Sequence, residues 1–293
     1  MVTRADRDPE REGQPGDPPS PVTAAASGAP SSRVVPVARY AAVVLGTSTA
    51  LVLLANPLTR WFARMRRQGD PDYSDGLPLL FDVNTEATVP TWYSAALLLG
   101  VAGMCGLFTV VSTGARRGDG WRWAALALVF TGMSLDEAVA LHERLGSGVT
   151  GTLDVEASGV LRHPWVVAGV VLAAALVAVA AWAVVTLPRH LRRWMAIGLG
   201  TYIGGALGLE ALSGAVLDAE GDGFAYAAVT WLEEGAEMVG ALVVLCALLA
   251  ALEVRIDRGA LRVSLASSIG SLGEPAAQLE TRGGSGHRRE GGG

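Results

Sequence analysis

The chain has 293 residues, of which 51% are hydrophobic and only 17% are charged, and its mean hydropathy is +0.37. Soluble domains usually carry about 25% charged residues, so this composition favours an integral membrane protein in a lipid bilayer over a soluble domain. The formal net charge is −5, and no basic stripe with interleaved aromatic residues is present, so we expect no nucleic-acid partner.

The two ends of the chain have the composition of disordered tails. Residues 1–35 are rich in Pro, Gly, Ser and Asp and have little to bury, and residues 255–293 end in the glycine-rich run "GGSGHRREGGG". Such segments cannot bury enough apolar surface to offset the entropy of ordering. We therefore predict a disordered N-terminal tail, a transmembrane domain at 36–254 and a disordered C-terminal tail.

Six apolar runs of spanning length lie between the tails. Each supplies close to the ~20 helical residues that cross ~30 Å of hydrocarbon. The runs are at about 38–56, 92–113, 121–142, 165–187, 194–215 and 226–252. The sequence therefore predicts an all-α, polytopic transmembrane bundle with about six helices.

The arginines indicate an orientation for this bundle. If the N-terminus lies inside, the cytoplasmic segments carry more arginines than the outer segments, as the positive-inside rule requires. We therefore expect both termini in the cytoplasm. The run "RWFARMRR" at 60–67 then falls outside, where a basic amphipathic turn on the membrane surface explains it.

The fifth apolar run contains a ladder of glycines at four-residue spacing, Gly200, Gly204 and Gly208. Small residues at this spacing let a second helix approach closely. The partner helix can belong to the same bundle or to a second subunit, so a homo-oligomer is one of two interpretations.

Three of the predicted helices contain acidic residues, which membrane helices usually avoid. An ionised side chain at the bilayer centre costs roughly 2.5–3.5 kcal/mol on the insertion scale. The acidic residues, together with one histidine, are Asp136, Glu137, His142 and Glu143 in the third helix, Glu210 in the fifth, and Glu233, Glu234 and Glu237 in the sixth. Such a set persists only if it faces an interior, shares protons or binds a cation.

Helix geometry places these acids at one level. At 1.5 Å per residue, Asp136 and Glu210 lie roughly 20 Å along their outward-running helices, and Glu233 lies within roughly the first 10–15 Å of the inward-running sixth helix. Glu233 and Glu237 share a helix face, whereas His142 points about 120° away from Asp136. The sequence therefore predicts one acidic site in the outer third of the bilayer.

Three stretches carry a resemblance to known proteins: "LFDVNTEATVPTWYSA" before the second helix, "SLDEAVALHERL" in the third and "LEEGAEMVGA" in the sixth. Over about residues 80–250 the chain resembles a group of bacterial multi-pass membrane proteins of uncharacterised activity. The resemblance implies a location in the bacterial cell membrane and no particular reaction. It implies functional roles for Glu86, Pro90, Trp92, Asp136, Glu137, His142, Glu143, Glu233, Glu234 and Glu237.

The "LDE" within the third helix is also similar to the ceramidase-like membrane hydrolases, which use a zinc ion held by three histidines. This chain has only four histidines, of which His142 alone lies in a predicted span. A zinc hydrolase of that type is therefore not expected.

Two functional hypotheses and a structural alternative follow from the acids. In the first, a metal-dependent enzyme acts on a lipid or lipid-linked substrate: Asp136, Glu143, Glu233 and Glu237 hold Mg²⁺, Mn²⁺, Ca²⁺ or an iron ion, Glu210 closes the site, and Glu137 or His142 transfers protons. In the second, a transporter uses the acids for a cation or proton. In the third, the acids pair with nearby arginines such as Arg144 and Arg162 and do no chemistry.

Overall fold

The computed structural model describes residues 33–67, 76–115, 118–141, 144, 165–257 and 260–265, and most of them are helical. The helices are α1 (Val37–Arg67), α2 (Gly76–Leu80), α3 (Val89–Gly114), α4 (Gly120–Val139), α5 (Trp165–Val184), α6 (Arg189–Ile203), α7 (Glu210–Glu220) and α8 (Phe224–Ala250). A π-helical segment at Gly204–Leu209 joins α6 to α7 without a break. The predicted helical class is therefore confirmed for the described residues.

Three helical segments are long and apolar enough to cross a membrane: Val37–Met65, Val89–Gly114 and Arg189–Glu220. Helices also occupy the other three predicted positions. Among these, α8 has 27 residues but carries three glutamates in its first half, and α5 contributes a shorter apolar segment, Ala174–Val184, within the described residues. The chain thus has the helices of a membrane protein, and six crossings stay a prediction.

Helix α1 is longer than the predicted first span at 38–56. It continues through Pro57 to Arg67, so the basic run at 60–67 is part of a long helix and not a separate turn. Arg, Met and Ala in this run favour helix, and Trp61 and Met65 repeat at the helical spacing of four residues.

A small antiparallel sheet lies where the sequence predicted the borders of disordered tails. Its strands are β1 (Arg33–Val35), β2 (Leu252–Asp257) and β3 (Ala260–Leu265), in the order β1-β2-β3. Val34 pairs with Arg255, and Arg255 pairs with Arg262. The strands form because "LEVRID" and "ALRVSL" alternate apolar and polar residues, the pattern of a half-buried strand. The remaining tail residues lie outside the described ranges.

Helix α8 occupies the centre of the bundle, where it contacts α1, α3, α6, α7 and the π-helical segment. The indole of Trp231 on α8 donates a hydrogen bond to the carbonyl of Leu53 on α1, at 2.8 Å. Helices α3 and α4 form the most extensive pair, with Phe108 and Trp123 packed edge to face at 4.8 Å. These contacts fix the helices that carry the acids.

Helices α6 and α8 approach closely through glycines, but not through the predicted ladder. A Cβ atom on Gly198 would lie 2.8 Å from the carbonyl oxygen of Gly240, and one on Gly240 would lie 2.5 Å from the backbone nitrogen of Tyr202. Around Gly200, Gly204 and Gly208, in contrast, a Cβ atom would meet no described atom within 4 Å. The ladder lies on an exposed face, and its use between subunits stays a prediction.

Candidate functional site

The buried face of α8 is polar in its first half and apolar in its second. Thr230, Glu233 and Glu237 follow the three- and four-residue spacing of one helix face, and the same face continues with Ala241, Val244 and Leu248. Glu233 is 6% exposed and Glu237 is 9% exposed, whereas Leu248 is fully buried. The carboxylates are therefore built into the interior of the bundle, on top of a packed apolar layer.

The buried face of α4 also ends in acids. Phe130 and Ser134 are buried on this face, and Ser134 donates a hydrogen bond to the carbonyl of Ala95 on α3 at 2.8 Å. Glu137 lies about 20° from Phe130 around the helix, so it continues the inward face, with Asp136 beside it. Both acids are half-buried.

The π-helical segment brings α7 and α6 against the same region of α8. A Cβ atom on Gly205 would lie 2.9 Å from the carbonyl oxygen of Glu233 and 3.0 Å from Cγ of Glu237, so only glycine permits this approach. Glu210 is the first residue of α7 and lines the same cavity as Glu233. Tyr202 of α6 lies beside Glu237 in the cavity wall.

The loop before α3 covers this region from the end of the bundle. The hydroxyl of Tyr226 donates a hydrogen bond to Oδ1 of Asn84 at 3.0 Å, which ties the loop to α8. An ion pair of 2.6 Å between Arg60 and Asp82 ties it to α1. The loop carries Glu86 over the acids of α4 and α8.

Together these elements enclose a cavity of about 270 Å³. The structure brings seven of the acids named from the sequence to its wall: Glu86, Asp136, Glu137, Glu210, Glu233, Glu234 and Glu237. No arginine, lysine or histidine is among the described residues that line it. Acids from all three helices therefore line one cavity, as the sequence predicted. The role of each residue stays a prediction.

Two further motif residues lie apart from the cavity. Pro90 is fully buried in the first turn of α3, where proline fits because the missing N–H has no partner in that turn. Trp92 is 70% exposed on the outside of the bundle, as expected of an amphipathic ring at a membrane interface. Neither lines the cavity.

The sequence did not single out the polar residues between the acids. Tyr202, Tyr226 and Thr230 line the cavity. Thr230 shares a helix face with Glu233, so its position could have been found from spacing. Tyr202 carries no such signal, because its place depends on how α6 packs against α8.

One carboxylate oxygen in the cavity lacks a partner. Oε2 of Glu233 is fully buried and accepts no hydrogen bond from the described residues. Buried polar groups almost always have a partner, and burying one without a partner costs free energy. Glu233, which lines the cavity, therefore has a buried acceptor without a partner among the described residues.

The described residues do not form a ready metal centre. No three of their His, Cys, Asp or Glu side chains are arranged closely enough to hold a metal ion. His142 and Glu143, which the sequence predicted as a proton carrier and a metal ligand, lie outside the described residues. A divalent metal centre thus has no geometric support within the described part of the chain.

The profile of one protein family, described as a domain of unknown function, DUF8692, matches residues 40–252. The match covers the helices and the cavity and agrees with a resemblance to proteins of uncharacterised activity. Among the curated proteins and the solved structures with which the chain was compared, none matches it.

Proposed function

The chain belongs to the DUF8692 family, and we propose that it is an integral membrane protein whose acidic cavity binds a cation. The observation that carries this proposal is Glu233, which is 6% exposed, lines a cavity together with six other acids and has a buried carboxylate oxygen without a partner among the described residues. A positive group in this space lowers the electrostatic free energy of several carboxylates at once.

An isolated buried carboxylate is strongly disfavoured, and it persists when it is protonated, paired or bound to a cation. Glu233 is buried, and one of its carboxylate oxygens accepts no hydrogen bond from the described residues. Binding of a cation would stabilise the ionised form of this side chain.

Thermal unfolding of the purified protein with chloride salts of Na⁺, K⁺, Mg²⁺, Ca²⁺, Mn²⁺ and alkylammonium ions tests the proposal. Binding to the folded state alone stabilises it by about 2.7 kcal/mol at one hundred times Kd. We expect at least one cation to raise the Tm of the wild type. Glu233→Gln keeps the shape of the side chain and removes the charge, so it should weaken this stabilisation by at least about tenfold.

Glu220→Gln is the matched control, because Glu220 is exposed at the end of α7 and does not line the cavity. This variant should respond to cations as the wild type does. The proposal fails if no cation in the series stabilises the wild type, or if Glu233→Gln is stabilised equally. Either result would favour a purely structural role for the acids.

A metal-dependent enzyme that acts on a lipid is one form of this proposal. It is supported by Val177 of α5, an apolar side chain that lines the cavity and is 42% exposed. In this form Asp136, Glu143, Glu233 and Glu237 hold the metal and Glu137 or His142 transfers a proton. The absence of metal from wild type purified without chelator would contradict it.

A cation- or proton-coupled transporter is the second form, and the π-helical segment favours it. Irregular helix inside a membrane protein is tolerated where it lines a cavity, and transporters place ion sites at such points. Beneath the acids, Ala241, Val244 and Leu248 of α8 belong to a packed apolar layer that blocks a cation. In this form the π-helical segment moves to open a path through that layer. Cation flux into proteoliposomes that Glu233→Gln abolishes would support this form, and equal flux in both proteins would contradict it.

A further inference from the structure

The cavity is lined by two chemically different kinds of side chain. Helix α8 contributes carboxylates, whereas the described side chains of α5 that line the cavity, Leu176, Val177 and Ala180, are all apolar. Leu199 and Ile203 of α6 are further apolar lining residues. A ligand that fills this space therefore meets both negative charge and hydrocarbon.

From this division we infer that the cation is an organic ammonium ion with an apolar body, whose charged group lies against Glu233 and whose chain lies against α5. The inference rests on the proposed function and names the ligand class for the same site. An ammonium group donates three hydrogen bonds, which suits a cavity lined by Glu233 and other carboxyl groups.

The cavity also has room for more than a single atom. Its volume is about 270 Å³, whereas one water molecule needs only about 10–15 Å³ on this kind of measure. A bare metal ion would leave most of this space empty, and a fully hydrated ion would place its outer waters against apolar side chains.

The arrangement of the acids points the same way. No three of the described acidic, His or Cys side chains lie close enough to coordinate a metal ion, yet seven acids are spread over the wall from Glu86 to Glu237. Dispersed carboxylates suit a larger ion with several hydrogen-bond donors better than a point charge that requires its ligands at 2.0–2.6 Å.

Binding of hexylammonium, methylammonium and hexanol to the protein in nanodiscs, measured by thermal stabilisation, tests the ligand class. Apolar burial contributes about a fourfold gain in affinity for each methylene group. Hexylammonium should therefore half-saturate at a concentration at least about tenfold lower than methylammonium. Hexanol partitions into the bilayer but has no charge, so it should give no stabilisation that depends on Glu233.

Two variants test separately the carboxylate and the apolar side chains that line the cavity. Glu233→Gln should weaken both ammonium ions, whereas Val177→Thr, which keeps the side-chain shape but adds a hydroxyl group, should reduce the advantage of hexylammonium and leave methylammonium unchanged. Equal affinity for the two ammonium ions, or stabilisation by metal ions alone, would overturn the inference and leave cation binding intact. Stabilisation by no cation at all would instead overturn the proposed function.

Discussion

The hydroxyl group of Tyr93 on α3 contacts three residues of α1. Its hydroxyl donates to the carbonyl of Leu45 at 3.0 Å and lies 2.7 Å from Ser48 Oγ and 2.9 Å from Thr49 Oγ1. Ser48 Oγ and Thr49 Oγ1 lie within hydrogen-bond distance of the Leu45 carbonyl oxygen as well, at 3.0 and 2.8 Å, so each keeps one partner if the tyrosine hydroxyl is removed. The cluster therefore stabilises the contact between two helices without being the sole partner of either hydroxyl.

We predict that Tyr93→Phe lowers the free energy of unfolding by about 1 kcal/mol, the usual net contribution of a hydrogen bond. Tyr40→Phe is the control, because Tyr40 is 63% exposed near the start of α1 and should change stability little. Chemical or thermal unfolding in the same detergent measures both. Equal stability of Tyr93→Phe and wild type would show that the hydroxyl cluster contributes nothing.

The acids of the cavity were predictable because helix geometry is regular. Spacing alone places Glu233 and Glu237 on one face, and rise per residue places Asp136 and Glu210 at a matching depth. The position of Tyr202 beside Glu237 in the cavity wall was not predictable, because it depends on the distance between two helices. The unpartnered oxygen of Glu233 likewise depends on packing and appears only in three dimensions.

At the scale of elements, the contact between α6 and α8 depends on which glycines face the partner helix. Gly240 and Gly200 both lie within helices, but only at Gly240 would a Cβ atom meet backbone, at 2.5 Å from the nitrogen of Tyr202. Backbone atoms cannot move aside as a flexible side chain does. The two positions therefore form a matched pair.

We predict that Gly240→Ala destabilises the protein by about 1–3 kcal/mol, the usual range for overpacking. Gly200→Ala should leave stability unchanged or raise it, because alanine favours helix by up to about 1 kcal/mol relative to glycine. Thermal unfolding of the two variants provides the comparison. A destabilised Gly200→Ala would instead indicate that the exposed ladder contacts a second subunit.

The elements divide into those that a linear pattern specifies and those that it does not. The helices α3, α4, α5 and α8 begin and end within a few residues of the predicted spans because apolar runs define them. The π-helical segment was not predicted, since Gly204 and Gly205 fit a regular helix equally well. The hairpin of β2 and β3 was missed because a short alternating pattern beside a polar tail resembles disorder in composition.

At the scale of the whole molecule, the sheet constrains the topology. Strand β1 precedes α1, strand β2 follows α8, and the two strands pair. We therefore predict that both ends of the helical region lie on the same side of the membrane and that the number of crossings is even. The three most apolar segments are an odd number, so this prediction needs at least one further crossing helix and is consistent with six.

Cysteine labelling in sealed vesicles tests this topology, with Cys105 and Cys246 replaced by alanine. Arg39 at the start of α1 and Ser264 of β3 are both exposed. A membrane-impermeant maleimide should label Arg39→Cys and Ser264→Cys from the same side. Phe224→Cys is the control, because Phe224 is 87% exposed at the opposite end of α8 and should be labelled from the other side. Labelling of Arg39→Cys and Ser264→Cys from different sides would contradict the paired strands.

Carboxyl modification tests most directly whether Glu233 contacts a bound cation. A hydrophobic carbodiimide reacts with carboxyl groups in apolar surroundings, and mass spectrometry identifies the modified residue. We predict that Glu233 is modified in the free protein and protected by the cation that raises Tm, with the same half-saturating concentration in both experiments. Modification of Glu233 that is unchanged by every cation in the series would contradict it.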